Sequence, residues 1–262
     1  MMNKKILLIV EGKVSEQNIF SNIFKQYGFN VVKKDKPMDV DGIGEFTKDE
    51  FELNNNSVVI IQGPRNRIHD FLKFYNDNEM SIEKAFSYSY AYFNGIFLIY
   101  DVDHNDCDDV NEMFDKFQDE TTGLLLLSSP CIEVLCDFNR NRGETRFSHL
   151  TEYKKEINCY YNGATYKIIE ENFNDFLLYF LEKNYHELES SNVMEHPSLV
   201  LQKINELNER VNCKNKDDSY VIYRYFSTVI YVAIAYANGL TKQIDNYELV
   251  KAFFLNQKNN CD

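Results

Sequence analysis

The stretch IFLIYDVDHND, residues 96–106, decides how the rest of the chain is read. An unbroken apolar run, Ile96 to Tyr100, passes directly into Asp101, Asp103 and Asp106. A short apolar run without polar alternation is the pattern of a strand buried on both faces, as in a parallel sheet. Carboxylates are costly to bury unless they are paired or hold a metal. Asp101 and Asp103 stand two apart, so a strand running through both points them to one side. Two like charges that close favour a cation between them.

Working outward, the same pattern recurs. ILLIV (6–10) ends in Glu11-Gly12, SVVIIQ (57–62) ends in Gly63-Pro64, and GLLLL occupies 123–127. Between the runs lie amphipathic segments. In SEQNIFSNIFKQYG (15–28), Ile19, Phe20, Ile23, Phe24 and Tyr27 recur at helical spacing, with Ser15 as N-cap and Gly28 at the C′ position. Helices are also expected over 66–75, 82–93 and 109–118, with Asp108 and Asp109 capping the last, and a short edge strand over 29–34. Residues 37–56, rich in Asp, Gly and Asn, read as a loop or small insertion. Alternating buried strands and helices indicate an α/β fold, a parallel sheet with helices on both faces. Ligands in such folds sit at the carboxyl ends of the strands, where Glu11, Gly63, Asp101 and Asp103 fall.

Beyond about residue 150 the pattern becomes mostly helical, with helices expected over 172–184, 198–211 and 219–237 and a short one over 247–255. The expected organisation is an α/β catalytic domain, 1–149, followed by a helical domain, 150–262. The segment YVIYRYFSTVIYVAIAYA (220–237) is near the minimum length of a membrane span, but it carries Arg224, Ser227 and Thr228. It reads as a buried helix that could also form a homodimer or protein-partner surface. No membrane association and no signal peptide are expected.

The net charge of −13 and a pI of about 4.9 argue against a broad electropositive face for coating nucleic acid. They leave room for an acid-lined site whose bound cation reverses the local sign. The six cysteines show no C-x-x-C and no zinc-ligand spacing, so they read as reduced, mostly packed thiols of a cytoplasmic protein.

Glu11-Gly12 after one buried strand and Asp101-x-Asp103 after a later one form the strongest constellation. Three carboxylates on one rim suit a hard divalent cation, Mg²⁺ or Mn²⁺, with positions open for water and phosphate. Lys13, Arg65 and Arg67 are candidate phosphate contacts, and NRNRGETR (139–146) is a basic patch on an expected loop, with Arg140, Arg142 and Arg146. His104 is a candidate proton shuttle and Asp106 an outer ligand. Other readings exist for the same acids. Residues 101–112 nearly spell an EF-hand loop, but Asp106 stands where glycine is needed and a strand-like run precedes it. A D-x-D phosphatase needs its aspartate after the first strand, where Glu11 stands. The acids could also serve only as helix caps.

IVEGKVSEQNIF (9–20) resembles the glutamate motif of Toprim domains, and YDVDHND (100–106) resembles their D-x-D motif. The form E-G-x-x-[ST]-E and the run SSPCIEVLCDF (128–138) resemble RloB-like proteins, relatives of OLD-family nucleases. Ser129 stands where that run has Asn. The resemblance covers about residues 4–138. It implies a Toprim fold and a Mg²⁺- or Mn²⁺-dependent nuclease acting on DNA or RNA, in a setting of bacterial antiphage defence. Glu11 matches the glutamate, Asp101 and Asp103 the paired aspartates, Glu16 the second acid of the first motif, and Glu133 the acid of the S-P-C-x-E run. Two alternatives stand beside it: a non-catalytic Toprim-like sensor or partner subunit binding another protein or a nucleotide, and a metal-dependent enzyme acting on a free nucleotide.

Overall fold

The computed structural model describes residues 4–12, 14–34, 37–38, 56–64, 67–78, 93–102, 105–129, 131–140, 144–147, 150–173, 175, 221–224, 226–229 and 232. The chain divides into two compact units, 1–127 and 128–262. The change in composition near residue 150 lies inside the second.

The first unit is α/β. Its strands are β1 (Lys5–Val10), β2 (Asn30–Lys33), β3 (Ser57–Gln62), β4 (Gly95–Asp101), β5 (Gln118–Asp119) and β6 (Gly123–Ser129, of which Ser128 and Ser129 belong to the second unit), in the spatial order β2-β3-β1-β4-β6-β5. The β1/β3, β1/β4 and β2/β3 pairs are parallel, whereas β5 and β6 form an antiparallel hairpin. Continuous apolar runs form β1, β3 and β4 because these strands have no solvated face: nearly every residue in them is buried. The segment expected as an edge strand is β2, at the end of the sheet.

Among the described residues three helices cover this sheet: α1 (Ser15–Gln26), α2 (Ile68–Asp77) and α3 (Cys107–Lys116). Ile68, Phe71 and Leu72 of α2 and Val110, Met113 and Phe114 of α3 share one core with Leu7, Ile9, Leu98 and Tyr100. The connection β1-α1-β2 moves one way across the sheet, and β3-α2-β4 moves the other. Right-handed crossovers therefore put α1 and α2 on opposite faces. Beside β1 the direction of winding reverses on both sides, so its carboxyl end is the topological switch point where such sheets bind ligands.

Several local expectations need correction. Ser15 is the first residue of α1 rather than its cap; Val14 holds the cap position and no side chain bonds there. Asp106 holds the N-cap position of α3, also without a side-chain cap bond, and Asp108 and Asp109 lie in its first turn, where their charge suits the helix dipole. Gly28 has a positive φ of 79° and its N–H closes onto the Lys25 carbonyl at 3.0 Å, as a C-terminal glycine should. The helix expected over 82–93 lies outside the described residues apart from Phe93, which is not helical.

In the second unit, Ile132–Arg140 forms a 3₁₀ helix, followed by β7 (Glu144–Phe147), α4 (Leu150–Tyr160), α5 (Thr165–Glu171), β8 (Val221–Arg224) and β9 (Phe226–Ser227). The patch 139–146 is therefore not simply a loop: Arg140 ends the 3₁₀ helix, Arg146 lies in β7, and Arg142 is outside the described residues. Asn172 closes α5, and Phe173 and Asp175 are again helical, one residue past the expected start; the remainder of 172–184 lies outside the described residues. The Asn172 backbone N–H and side-chain Nδ2 both donate to the Ile168 carbonyl. The helix expected over 219–237 begins as strand. β8 pairs antiparallel with β7, and β9 with Ser128–Ser129 of β6, with Ser128 Oγ 2.9 Å from Ser227 Oγ. Val221, Ile222 and Tyr223 are β-branched or aromatic, and a pairing partner decided in favour of that preference. Cys131 and Cys136 are buried thiols, and Cys159 is an exposed one. No helix among the described residues is long and apolar enough to cross a membrane.

Candidate functional site

The carboxyl ends of β1 and β4 meet at Glu11 and Asp101. Val10 is in register with Ile99, and the ladder continues one step further as the Glu11 N–H donates to the Ile99 carbonyl at 3.0 Å. That register carries Glu11 past the end of β1 to a place beside Tyr100. The Asp101 backbone N–H donates to Glu11 Oε2 at 2.8 Å. On the other side, Gln62 Nε2 donates to the Glu11 carbonyl at 3.4 Å, and the Gly63 N–H donates to the Val10 carbonyl. Glu11 is thus braced from both neighbouring strands.

This contact runs from carboxylate to backbone amide, not from one carboxylate to the other. β4 ends at Asp101, and Val102 is already in a bend. The side-by-side placement expected for Asp101 and Asp103 required the strand to run on through both, so that argument fails. Asp103 and His104 lie outside the described residues, as do Lys13 and Arg65. Arg67 is exposed at the N-cap position of α2, and Asp106 is exposed at that of α3.

Glu16 lies against the same turn. A Cβ added at Gly12 would fall onto the Glu16 carboxylate. Glycine at position 12 leaves room for this close approach and is not there for a left-handed backbone. Both acids of the E-G-x-x-S-E segment therefore gather at the end of β1.

Asn105 is a member of the site that the sequence did not single out. It is buried, its Nδ2 donates to the Asp101 carbonyl at 2.7 Å, and its Oδ1 accepts from the Ile68 N–H at 3.0 Å. One carboxamide thus caps the start of α2 and holds the chain leaving β4. Tyr100 is a second such residue. Its side chain is 1 % exposed and its ring meets the edge of Phe71 at 6.0 Å between centroids. Burial, reinforced by the negative charges of Glu11 and then Asp70, pushes its phenol well above the usual range. An asparagine two residues past a D-x-D gives a local turn signal, but its partner Ile68 is 37 residues distant and invisible to local reading.

In the second unit Glu133 is 3 % exposed in the 3₁₀ helix. Tyr166 Oη donates to its Oε1 at 3.1 Å, while Oε2 is buried with no hydrogen-bond partner among the described residues. Burial sets Glu133 apart from an ordinary solvated acid.

Glu11 and Asp101 carry carboxylate oxygens, the donor type that hard divalent cations take. Comparison of the chain with protein-family models, curated proteins and solved structures finds no match.

Proposed function

We propose that this protein is a Mg²⁺- or Mn²⁺-dependent phosphodiesterase of Toprim type that hydrolyses DNA or RNA. The observation that carries the reading is the meeting of Glu11 and Asp101 at the switch point of the sheet, with the Asp101 N–H fixed on the Glu11 carboxylate at 2.8 Å. The sequence resemblance assigns the same two residues to one metal site, with Asp103 as the third ligand.

In this reading Glu11, Asp101 and Asp103 hold the ion. A bound divalent cation supplies a Lewis acid for a phosphate oxygen and lowers the pKa of a coordinated water. In place of binding the ion, Glu11, held at Oε2 by the Asp101 amide, can take the proton of the attacking water at its other oxygen. Asn105 fixes the Asp101 main chain, so the aspartate cannot swing away with the following loop. Lys13, Arg65 and Arg67 supply positive charge for the phosphate backbone, which the overall charge of −13 otherwise repels.

The test is incubation of the full chain with labelled tRNA, single-stranded DNA and duplex DNA in Mg²⁺ or Mn²⁺, beside Asp101→Ala and Glu11→Gln. Cleavage should fall by about 10²–10³-fold in each variant, the scale of losing one preorganised electrostatic group. No cleavage of any substrate, together with no measurable Mn²⁺ binding by the unmodified chain, would overturn the proposal.

A further inference from the structure

Tyr100 Oη is buried and has no hydrogen-bond partner among the described residues. A buried hydroxyl without a partner is destabilising, and such groups are rare. Phenylalanine would fill the same space without the penalty, so the hydroxyl calls for an account of its own.

Its surroundings provide one. Tyr100 shares a core with Leu7, Ile9 and Leu98, so the even-numbered residues of β4 and the odd-numbered residues of β1 face α2 and α3. The Glu11 N–H bond to the Ile99 carbonyl continues the ladder one step past β1 and sets Glu11 beside Tyr100. Across from it stands the first turn of α2. There Asp70, partly buried, is the neighbour of Phe71, whose ring touches that of Tyr100. The position of this turn is fixed by the bond from the Ile68 N–H to Asn105. The negative charges of Glu11 and Asp70, carboxylates from different elements, both act on the Tyr100 phenol. A buried water needs two to four polar partners. One donor and two acceptors are what a water needs to accept one hydrogen bond and donate two.

We infer that Tyr100 is a positioning residue for Glu11, acting through a water that accepts from Tyr100 Oη and donates to the carboxylates of Glu11 and Asp70. The hydroxyl fixes the water, and the water fixes the carboxylate that also accepts from the Asp101 amide. The consequence for metal binding rests on the assignment of Glu11 as a ligand. The consequence for stability does not.

Tyr100→Phe removes one oxygen and leaves the ring in place. The full chain, Tyr100→Phe, Asp70→Asn and the double variant are compared by thermal unfolding and by Mn²⁺ titration, with Glu11→Gln as reference. If the hydroxyl holds the water, Tyr100→Phe lowers the midpoint by about 2–4 °C. It also weakens Mn²⁺ about tenfold, the scale for groups that support a metal ligand. Asp70→Asn shifts Mn²⁺ affinity in the same direction, and the double variant loses less than the sum because the two act on one water. A midpoint that rises in Tyr100→Phe means that the hydroxyl is an unpaired burden, and this overturns the inference. So does Mn²⁺ affinity equal to that of the unmodified chain. If the unmodified chain binds no Mn²⁺, the metal reading of Glu11 falls, and the inference is then decided by the direction of the midpoint alone.

Discussion

Asn105→Ala tests how the site is held. The substitution deletes two buried hydrogen bonds at once, from Nδ2 to the Asp101 carbonyl at 2.7 Å and from the Ile68 N–H to Oδ1 at 3.0 Å. Each bond contributes about 1 kcal/mol net, and each buried group left without a partner adds a penalty of about 1–3 kcal/mol. The Ile68 N–H is also one of the orphan donors at a helix start, where loss of a cap costs about 0.5–2 kcal/mol. Water entering the space of the lost carboxamide offsets part of this, giving an expected loss of about 2–4 kcal/mol. Urea unfolding read by tyrosine fluorescence suits a chain with 18 Tyr and no Trp. Native-state hydrogen exchange adds a local readout: the Ile68 amide should exchange faster than amides in the middle of β1. A stability change within about 0.5 kcal/mol, the range of an ordinary surface substitution, with unaltered exchange at Ile68, would refute the reasoning. The cleavage rate should fall by more than the small unfolded fraction explains, since the Asp101 main chain is released.

Further outcomes follow from the same structure. Gly12→Ala should displace the flexible Glu16 carboxylate while leaving stability within about 1 kcal/mol; Mn²⁺ affinity measured beside the melting curve separates the two effects. The Asp119 carboxylate accepts from both the N–H and the hydroxyl of Thr121 and of Thr122 at 2.5–2.9 Å, so Asp119→Ala should cost about 1–2 kcal/mol at neutral pH. Burial raises the Asp119 pKa, but the bonds from Thr121 and Thr122 outweigh it and leave the value below the usual range. Its folded pKa is therefore the lower one, so its contribution is complete above the unfolded pKa of about 3.9 and is lost as pH falls through the folded value. Urea midpoints of the unmodified chain and Asp119→Ala should accordingly converge on acidification. Removing divalent cations with EDTA should abolish cleavage, and adding Mn²⁺ at 100 times its Kd should stabilise the chain by about 2.7 kcal/mol. Glu11→Gln should erase that stabilisation.

The sequence by itself determined the strand core and the acids at its edge. Ile6–Val10, Val58–Ile61 and Ile96–Tyr100 admit no solvated face, so they had to become buried strands, and the acids and glycines that follow them had to lie where those strands end. Helical spacing placed α1, α2 and α3 for the same reason, since one apolar stripe must find the sheet. Tertiary structure decided what local pattern cannot carry. The reversal of winding around β1 depends on strand order, which no single segment encodes. The ending of β4 at Asp101 removed the alternation that tied Asp103 to its neighbour. Val221–Tyr223 became a strand because Glu144–Phe147 offers it a partner 74 or more residues away in sequence, a register no local reading supplies. Asn105 and Tyr100 gained their roles the same way. A carboxamide and a phenol are ordinary side chains until folding sets Ile68 and Glu11 beside them, where low dielectric makes each buried polar group costly to leave unpaired.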